Sequence, residues 1–294
     1  MNQPQSAVGN CLDVQSFINA QPLSRYQWRV VILCFLIVFL DGLDTAAMGF
    51  IAPALSQDWG IDRASLGPVM SAALIGMVFG ALGSGPLADR FGRKVVLVGA
   101  VLLFGAFSLA SAYSTNVDQL LVLRFLTGLG LGAGMPNATT LLSEYTPERH
   151  KSLLVTSMFC GFNLGMAGGG FISAKLIPAF GWHSLLLIGG VLPLILALVL
   201  VLWLPESARY LVVRNRGTDK VRKTLAPIAP AIVGEAGSFS VPEQKTVKAR
   251  NVFAVIFSGT YSVGTLLLWL TYFMGLVIVY PVSYTHLRAH ETDS

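Results

Sequence analysis

Gly85-Pro86-Leu87-Ala88-Asp89-Arg90-Phe91-Gly92-Arg93-Lys94 lies between two apolar runs of membrane-spanning length. Gly85 and Gly92 allow a sharp backbone turn. Arg90, Arg93 and Lys94 hold that turn in the cytosol. Asp89 can then sit against a helix N-terminus or a basic partner. Alone, such a segment is an ordinary basic inside loop that sets topology. Framed by two spans, it is the short charged turn of a helical hairpin in a membrane.

Composition extends this reading. The chain has 294 residues, 54% hydrophobic and 12% charged, whereas soluble domains carry about 25% charged residues. Apolar runs near 28–55, 66–88, 95–113, 117–142, 152–178, 184–204 and 252–280 give seven candidate spanning helices. The fold class is therefore an all-α membrane protein: a polar tail at 1–27, a six-helix bundle at 28–204, a basic central loop at 205–251 and a seventh helix at 252–280. The first run is too long for a cleaved signal peptide, so it reads as an uncleaved anchor.

Orientation follows from Lys and Arg. Arg25 and Arg29, the 85–94 turn, Arg149 and Lys151, and nine basic residues between Arg209 and Arg250 share one side; Arg63 and Lys175 are on the other. The N-terminus is then cytosolic, and the net charge of +5 is a topology signal, with no nucleic-acid footprint. Cys11, Cys34 and Cys160 form no disulfide framework. The histidines have no ligand spacing, so no metal or other cofactor is expected.

Two carboxylates lie inside the first span. Burying each costs ~2.5–3.5 kcal/mol on insertion scales, so Asp41 and Asp44 need a reason to be there. Three residues apart, they share one helix face. Gly42, Gly49 and Pro53 weaken the helix around them, as suits a helix lining a path; alternatively, the acids cap a break or face outside water. Arg124 is the basic residue deep in the fourth span, ~10 Å below the outer surface, close to the depth of Asp41. It can pair with those acids, grip a substrate carboxylate or snorkel outward. Desolvation favours a protonated carboxylic acid and a nearby guanidinium favours the charged form. A substrate anion that took over Arg124 would therefore free an aspartate to bind a proton.

Small residues at i,i+4 spacing, Gly76/Gly80, Gly128/Gly132, Gly130/Gly134 and Gly161/Gly165, predict close helix contacts. The run Gly128 to Ala133 satisfies G-x-G-x-x-A but lies inside a span without a preceding strand, so it is no dinucleotide site. Asn137 and Asn163 either face the path or bond neighbouring helices, and Glu144 is a third polar candidate for lining the path.

The 85–94 turn resembles the corresponding loop of the major facilitator superfamily of secondary transporters. The run Asp41-Gly42-Leu43-Asp44-Thr45-Ala46-Ala47-Met48-Gly49-Phe50-Ile51-Ala52-Pro53 narrows the resemblance to the aromatic acid/proton symporters, most like the 4-hydroxybenzoate/protocatechuate transporters. Gly161 to Met166, Leu204 to Arg209 and Leu211 to Asp219 agree with it. The resemblance implies two inverted three-helix repeats in the bundle and substrate binding between two six-helix halves. A second inside loop, 144–151, echoes the first. It further implies import of a small aromatic carboxylate with protons across the bacterial inner membrane, driven by the proton gradient. The lipid bilayer is the other partner, and no obligate protein partner is implied. Asp41, Asp44 and Arg124 would serve transport, while Gly85, Asp89, Arg90, Gly92 and Arg93 would serve the conformational switch.

Residues 281–294 match nothing expected of such a carrier and read as a non-native tail, the alternative being a native outside loop. Helices eight to twelve are not in the sequence, so the chain alone is not expected to transport. A carrier for another organic anion, such as shikimate or a dicarboxylate, is the nearest rival, and a membrane sensor of aromatic acids the second. An enzyme is not expected, for no activated nucleophile, metal spacing or phosphate-cradling loop is present.

Overall fold

The computed structural model describes residues 11–235, 238–241, 262–271 and 274. Those up to 241 belong to one compact unit, and those from 262 onward to a second. The first unit opens with strand β1 (Cys11–Asp13) and helix α1 (Val14–Ala20), followed by six long helices: α2 (Arg25–Trp59), α3 (Gly67–Phe91), α4 (Arg93–Ser111), α5 (Val117–Tyr145), α6 (Glu148–Phe180) and α7 (His183–Trp203). All six are long and apolar enough to cross a membrane. Short helices α8 (Ala208–Val213), α9 (Thr218–Leu225) and α10 (Pro230–Glu235) and strand β2 (Ser238–Ser240) complete it. The second unit's described helix is α11 (Ser262–Thr271). Most of the expected seventh span at 252–280, and all of 281–294, lie outside the described residues.

Local chemistry sets the helix ends. Ser24 and Gln27 form a reciprocal capping box that starts α2, and Gly60, at φ +62°, ends it in the left-handed region. Asn116 caps α5 through the Gln119 N–H at 2.8 Å. Two expectations change here. α2 runs unbroken through Gly42, Gly49 and Pro53, so no helix break separates the two aspartates. The 85–94 segment is not a ten-residue loop, because α3 continues to Phe91 and α4 begins at Arg93. Gly92, at φ +103°, makes the turn alone, whereas Gly85 is an ordinary helical residue with open space beside it.

The bundle is held by backbone-to-backbone approach. A side chain on Gly76 or Gly80 of α3 would meet the carbonyls of Phe125 or Leu129, and one on Gly128 or Gly132 of α5 those of Ala73 or Met77. Gly42 of α2 and Gly165 of α6 have the same relation to Phe162 and Phe39. Such contact lets dispersion and packing replace the hydrophobic drive that lipid cannot supply. Gly134 has no such close neighbour and departs from the pattern.

Two apolar cores are stacked along the bundle. One, toward the basic end with the α3–α4 and α5–α6 turns, contains Leu40, Phe104, Leu131 and Leu196. The other, toward the far end, contains Ala47, Ala112, Leu120 and Leu186. A third joins the N-terminal segment to the central loop: Val14, Phe17 and Ile18 pack with Ala208, Leu211, Val221 and Leu225. β1 pairs in parallel with β2 beside it. Tail and loop, read from sequence as separate, share a small core because α1 and α9 each bury one apolar face.

Candidate functional site

Among the helices that run from one bundle core to the other, four bring a polar or small residue together at the crossing. α2 supplies Asp41 and Asp44 between Leu40 and Ala47; α4 supplies Ser108 and Ser111 between Phe104 and Ala112. α5 supplies Arg124 between Leu120 and Leu131, and α7 supplies Gly189 between Leu186 and Leu196. Arg124 is 1% exposed, Asp44 2% and Asp41 3%.

Within this layer Arg124 donates from one terminal nitrogen to Asp44 Oδ2 at 3.1 Å and from the other to Ser108 Oγ at 3.3 Å. Its Nε donates to Ser111 Oγ at 3.3 Å. Ser108 donates to Asp44 Oδ1 at 2.6 Å, so the carboxylate is held at both oxygens. A buried ion pair persists only when surrounding bonds satisfy what water would have satisfied. These serines do so.

The sequence grouped two acids around one arginine, and the structure divides them. Arg124 belongs to Asp44. Asp41, one turn earlier, accepts a bond from Thr45 Oγ at 3.4 Å and makes no ion pair among the described residues. The arginine faces neighbouring helices, which removes outward snorkelling, and it is already occupied rather than open to an anion. An apolar cavity of about 420 Å³ lies between α3, α4 and α5, lined by Phe79, Leu87, Val95, Leu103 and Leu129. Arg124, Asp44, Ser108 and Ser111 make one hydrogen-bonded contact, with Asp41 one turn away from it.

The other polar candidates separate too. Asn137 is buried, and its side-chain amide bonds Ala133 O at 2.8 Å, within its own helix. Asn163 lies on the exposed face of α6. Glu144 is in the last turn of α5, ~30 Å along the helix from Arg124. It sits among Ser207, Arg93, Arg209 and Glu206 at the basic end, with Oε2 buried and unbonded, and so does not share the Asp41 layer.

At that end the α3–α4 turn is clamped from the central loop. Glu206 Oε1 accepts from the Lys94 N–H at 3.0 Å, placing negative charge on the first turn of α4. A side chain on Gly92 would run into that carboxylate. Arg214 donates to Asp89 O at 2.7 and 3.0 Å, and Tyr210 to Arg90 O at 3.0 Å, satisfying the last carbonyls of α3. Asp89 itself pairs with Arg93 at 2.9 Å. The N-terminal segment clamps the second turn: Asn19 accepts from Glu148 N–H at 2.9 Å, and Arg149 donates to Gln21 O at 3.1 Å. Sequence reading missed Ser108, Ser111, Glu206, Tyr210 and Arg214. Only the serines had a signal, two hydroxyls three apart in an apolar helix at the depth of Arg124.

Comparison with known proteins places this geometry. The chain is 89% identical over 280 residues to "4-hydroxybenzoate transporter PcaK" of Pseudomonas putida, covering 95% of this chain and 62% of that protein. Identity to the Pseudomonas aeruginosa protein of the same name is 84%, with the same coverage. To "Gallate transporter" of Pseudomonas putida it is 51% over 271 residues, covering 92% and 60%. The chain thus spans about three fifths of the length of these relatives. Among solved structures, the proton:xylose symporter XylE bound to 6-bromo-6-deoxy-D-glucose superposes with a TM-score of 0.62 at 22% identity, covering 71% of this chain and 51% of that one. A double-Trp mutant of XylE gives 0.63 at 20% identity, covering 72% and 52%. At such identity these structures speak for the fold alone. The family model described as Major Facilitator Superfamily matches residues 34–288, and the chain is a multi-pass membrane protein belonging to that superfamily of transporters.

Proposed function

We propose that these residues form the N-terminal bundle of a carrier that imports an aromatic carboxylate of the 4-hydroxybenzoate or protocatechuate type with protons across the bacterial inner membrane. The observation that carries the substrate reading is the 89% identity to a relative named for 4-hydroxybenzoate, extending over 95% of this chain. The drive is read from the polar layer. Asp44 and Arg124 neutralise each other, so the pair crosses the apolar interior as a dipole. Asp41 has no cationic partner among the described residues, so in this reading it binds a proton without breaking an ion pair. It is the proton carrier in this reading, with Asp44–Arg124 as the fixed strut beside it.

The turns at the basic end serve the conformational cycle. Asp89, Arg90 and Lys94 are tied to the central loop through their backbone groups, and Arg93 pairs with Asp89, so rocking of the bundle must carry that loop with it or release it. The concentration of Lys and Arg at this end orients it to the cytosol.

The test is uptake of labelled 4-hydroxybenzoate by cells expressing the full-length carrier, with competition by unlabelled acids. Protocatechuate should compete and shikimate or succinate should not. Equal competition by shikimate would overturn the aromatic reading, and saturable binding without flux would favour a sensor.

A further inference from the structure

The functional reading gives no role to Ser108 and Ser111, yet both are wholly buried at its centre. A serine inside a helix commonly returns its proton to the carbonyl one turn back. Ser111 does so, donating to Phe107 O at 2.7 Å. Ser108 instead sends its proton across the bundle to Asp44 Oδ1. The lone pairs of both hydroxyls remain free to accept, and Arg124 uses them through a terminal nitrogen and Nε. All three guanidinium nitrogens are therefore engaged, one by α2 and two by α4. A planar fork held at three nitrogens cannot swing one turn to Asp41 without giving up the whole set. α7 closes the layer from behind: a Cβ on Gly189 would lie 3.4 Å from Ser108 Oγ and 3.5 Å from Asp44 Oδ1.

We infer that Ser108 and Ser111 are positioning residues that reserve Arg124 for Asp44 and thereby keep Asp41 outside the ion pair. Two carboxylates one turn apart compete for one cation, and α2 alone does not decide between them. The hydroxyls on α4 decide, because they stand where a guanidinium bound to Asp44 reaches them. The inference deepens the proposed proton coupling, but the reservation is a property of the polar layer and is tested without transport.

The probe is dicyclohexylcarbodiimide, applied to membranes containing the full-length protein. It partitions into the bilayer and adds to a protonated carboxyl, and the adduct rearranges to a stable N-acylurea located by peptide mass spectrometry. A carboxylate held by arginine is protected. In the unaltered protein, label on Asp41 should exceed label on Asp44 by at least about tenfold, corresponding to ~1.4 kcal/mol of differential protonation. Ser108→Ala should bring the two labels within about twofold of each other, and Ser108→Thr, which keeps the hydroxyl, should preserve the original ratio. Ser111→Ala removes only the Nε acceptor and should give an intermediate ratio; it decides the matter if Ser108→Ala does not reach the membrane. The inference is overturned if Asp41 takes no label in the unaltered protein, if Asp44 is labelled equally there, or if neither alanine variant changes the ratio. Uptake measured in cells carrying the same proteins separates the two readings. Absent uptake by the unaltered carrier sinks the functional proposal, while the labelling ratio alone judges the serines.

Discussion

Arg124 of α5 and Asp44 of α2 are bonded at 3.1 Å although eighty residues separate them in the chain, and both side chains are buried between two apolar cores. Desolvating two charges is expensive, and apolar residues of similar volume stabilise many proteins as well or better. Stability alone therefore does not account for this pair. The proposed function gives it another use: a polar layer that helices can move around, with Asp41 as the carboxylate that changes charge.

Removing one member leaves the other as an uncompensated buried charge. Arg124→Gln and Asp44→Asn should each destabilise the bundle, Arg124→Gln more severely, by about 3–5 kcal/mol. The double variant should be less destabilised than the sum of the two, with a coupling of about 1–3 kcal/mol. Thermal unfolding in detergent, followed by size-exclusion chromatography, measures all three. Strict additivity would mean that the ion pair is not formed.

The two glycines that frame the α3–α4 segment should behave differently. Gly92→Ala imposes a side chain at φ +103° and drives it into the Glu206 carboxylate, so the folded amount should fall sharply. Gly85→Ala enters open space in a helix and should leave the folded amount unchanged. Fluorescence size-exclusion of tagged variants reads both. Equal loss would contradict the assignment of the turn to Gly92.

Helix contacts through glycine should be intolerant of bulk. Gly128→Val and Gly165→Val place side chains against the backbone carbonyls of Ala73 and Phe39, forcing α3 from α5 and α2 from α6. Both should lower the unfolding temperature by many degrees. Gly134→Val, whose position has no such close neighbour, serves as the control and should be mild.

The small core beneath the bundle gives a fourth prediction. Phe17→Ala empties a position 4% exposed, which costs about 3–5 kcal/mol in a well-packed core. That is enough to open so small a cluster. Limited proteolysis of membranes should then cut within 208–240 much faster than in the unaltered protein. An unchanged cleavage rate would mean that α1 does not hold the central loop.

Periodicity and depth carried the sequence reading a long way. Apolar runs alone located the six spans, because spanning a bilayer demands a length and a composition that few other structures share. Asp41, Asp44 and Arg124 stood out because charges in lipid need a reason, and the helical rise put them near one level. Which acid took the arginine was not legible. That choice lies with Ser108 and Ser111 on a third helix, whose facing is a property of packing rather than of spacing along any one segment. The clamp on the α3–α4 turn was hidden for a related reason. Glu206, Tyr210 and Arg214 act on backbone groups, and the sequence around 85–94 carries no mark of which distant residues will cap them.

The most direct test of the account compares Asp41→Asn with the unaltered full-length carrier in proteoliposomes, measuring 4-hydroxybenzoate accumulation driven by a pH gradient and exchange at equal pH. With Asp41 as the proton carrier and Asp44–Arg124 intact, the variant should keep exchange within about threefold while losing gradient-driven accumulation by at least about a hundredfold, ~2.7 kcal/mol of coupling. Undiminished accumulation against the gradient by Asp41→Asn would contradict the account.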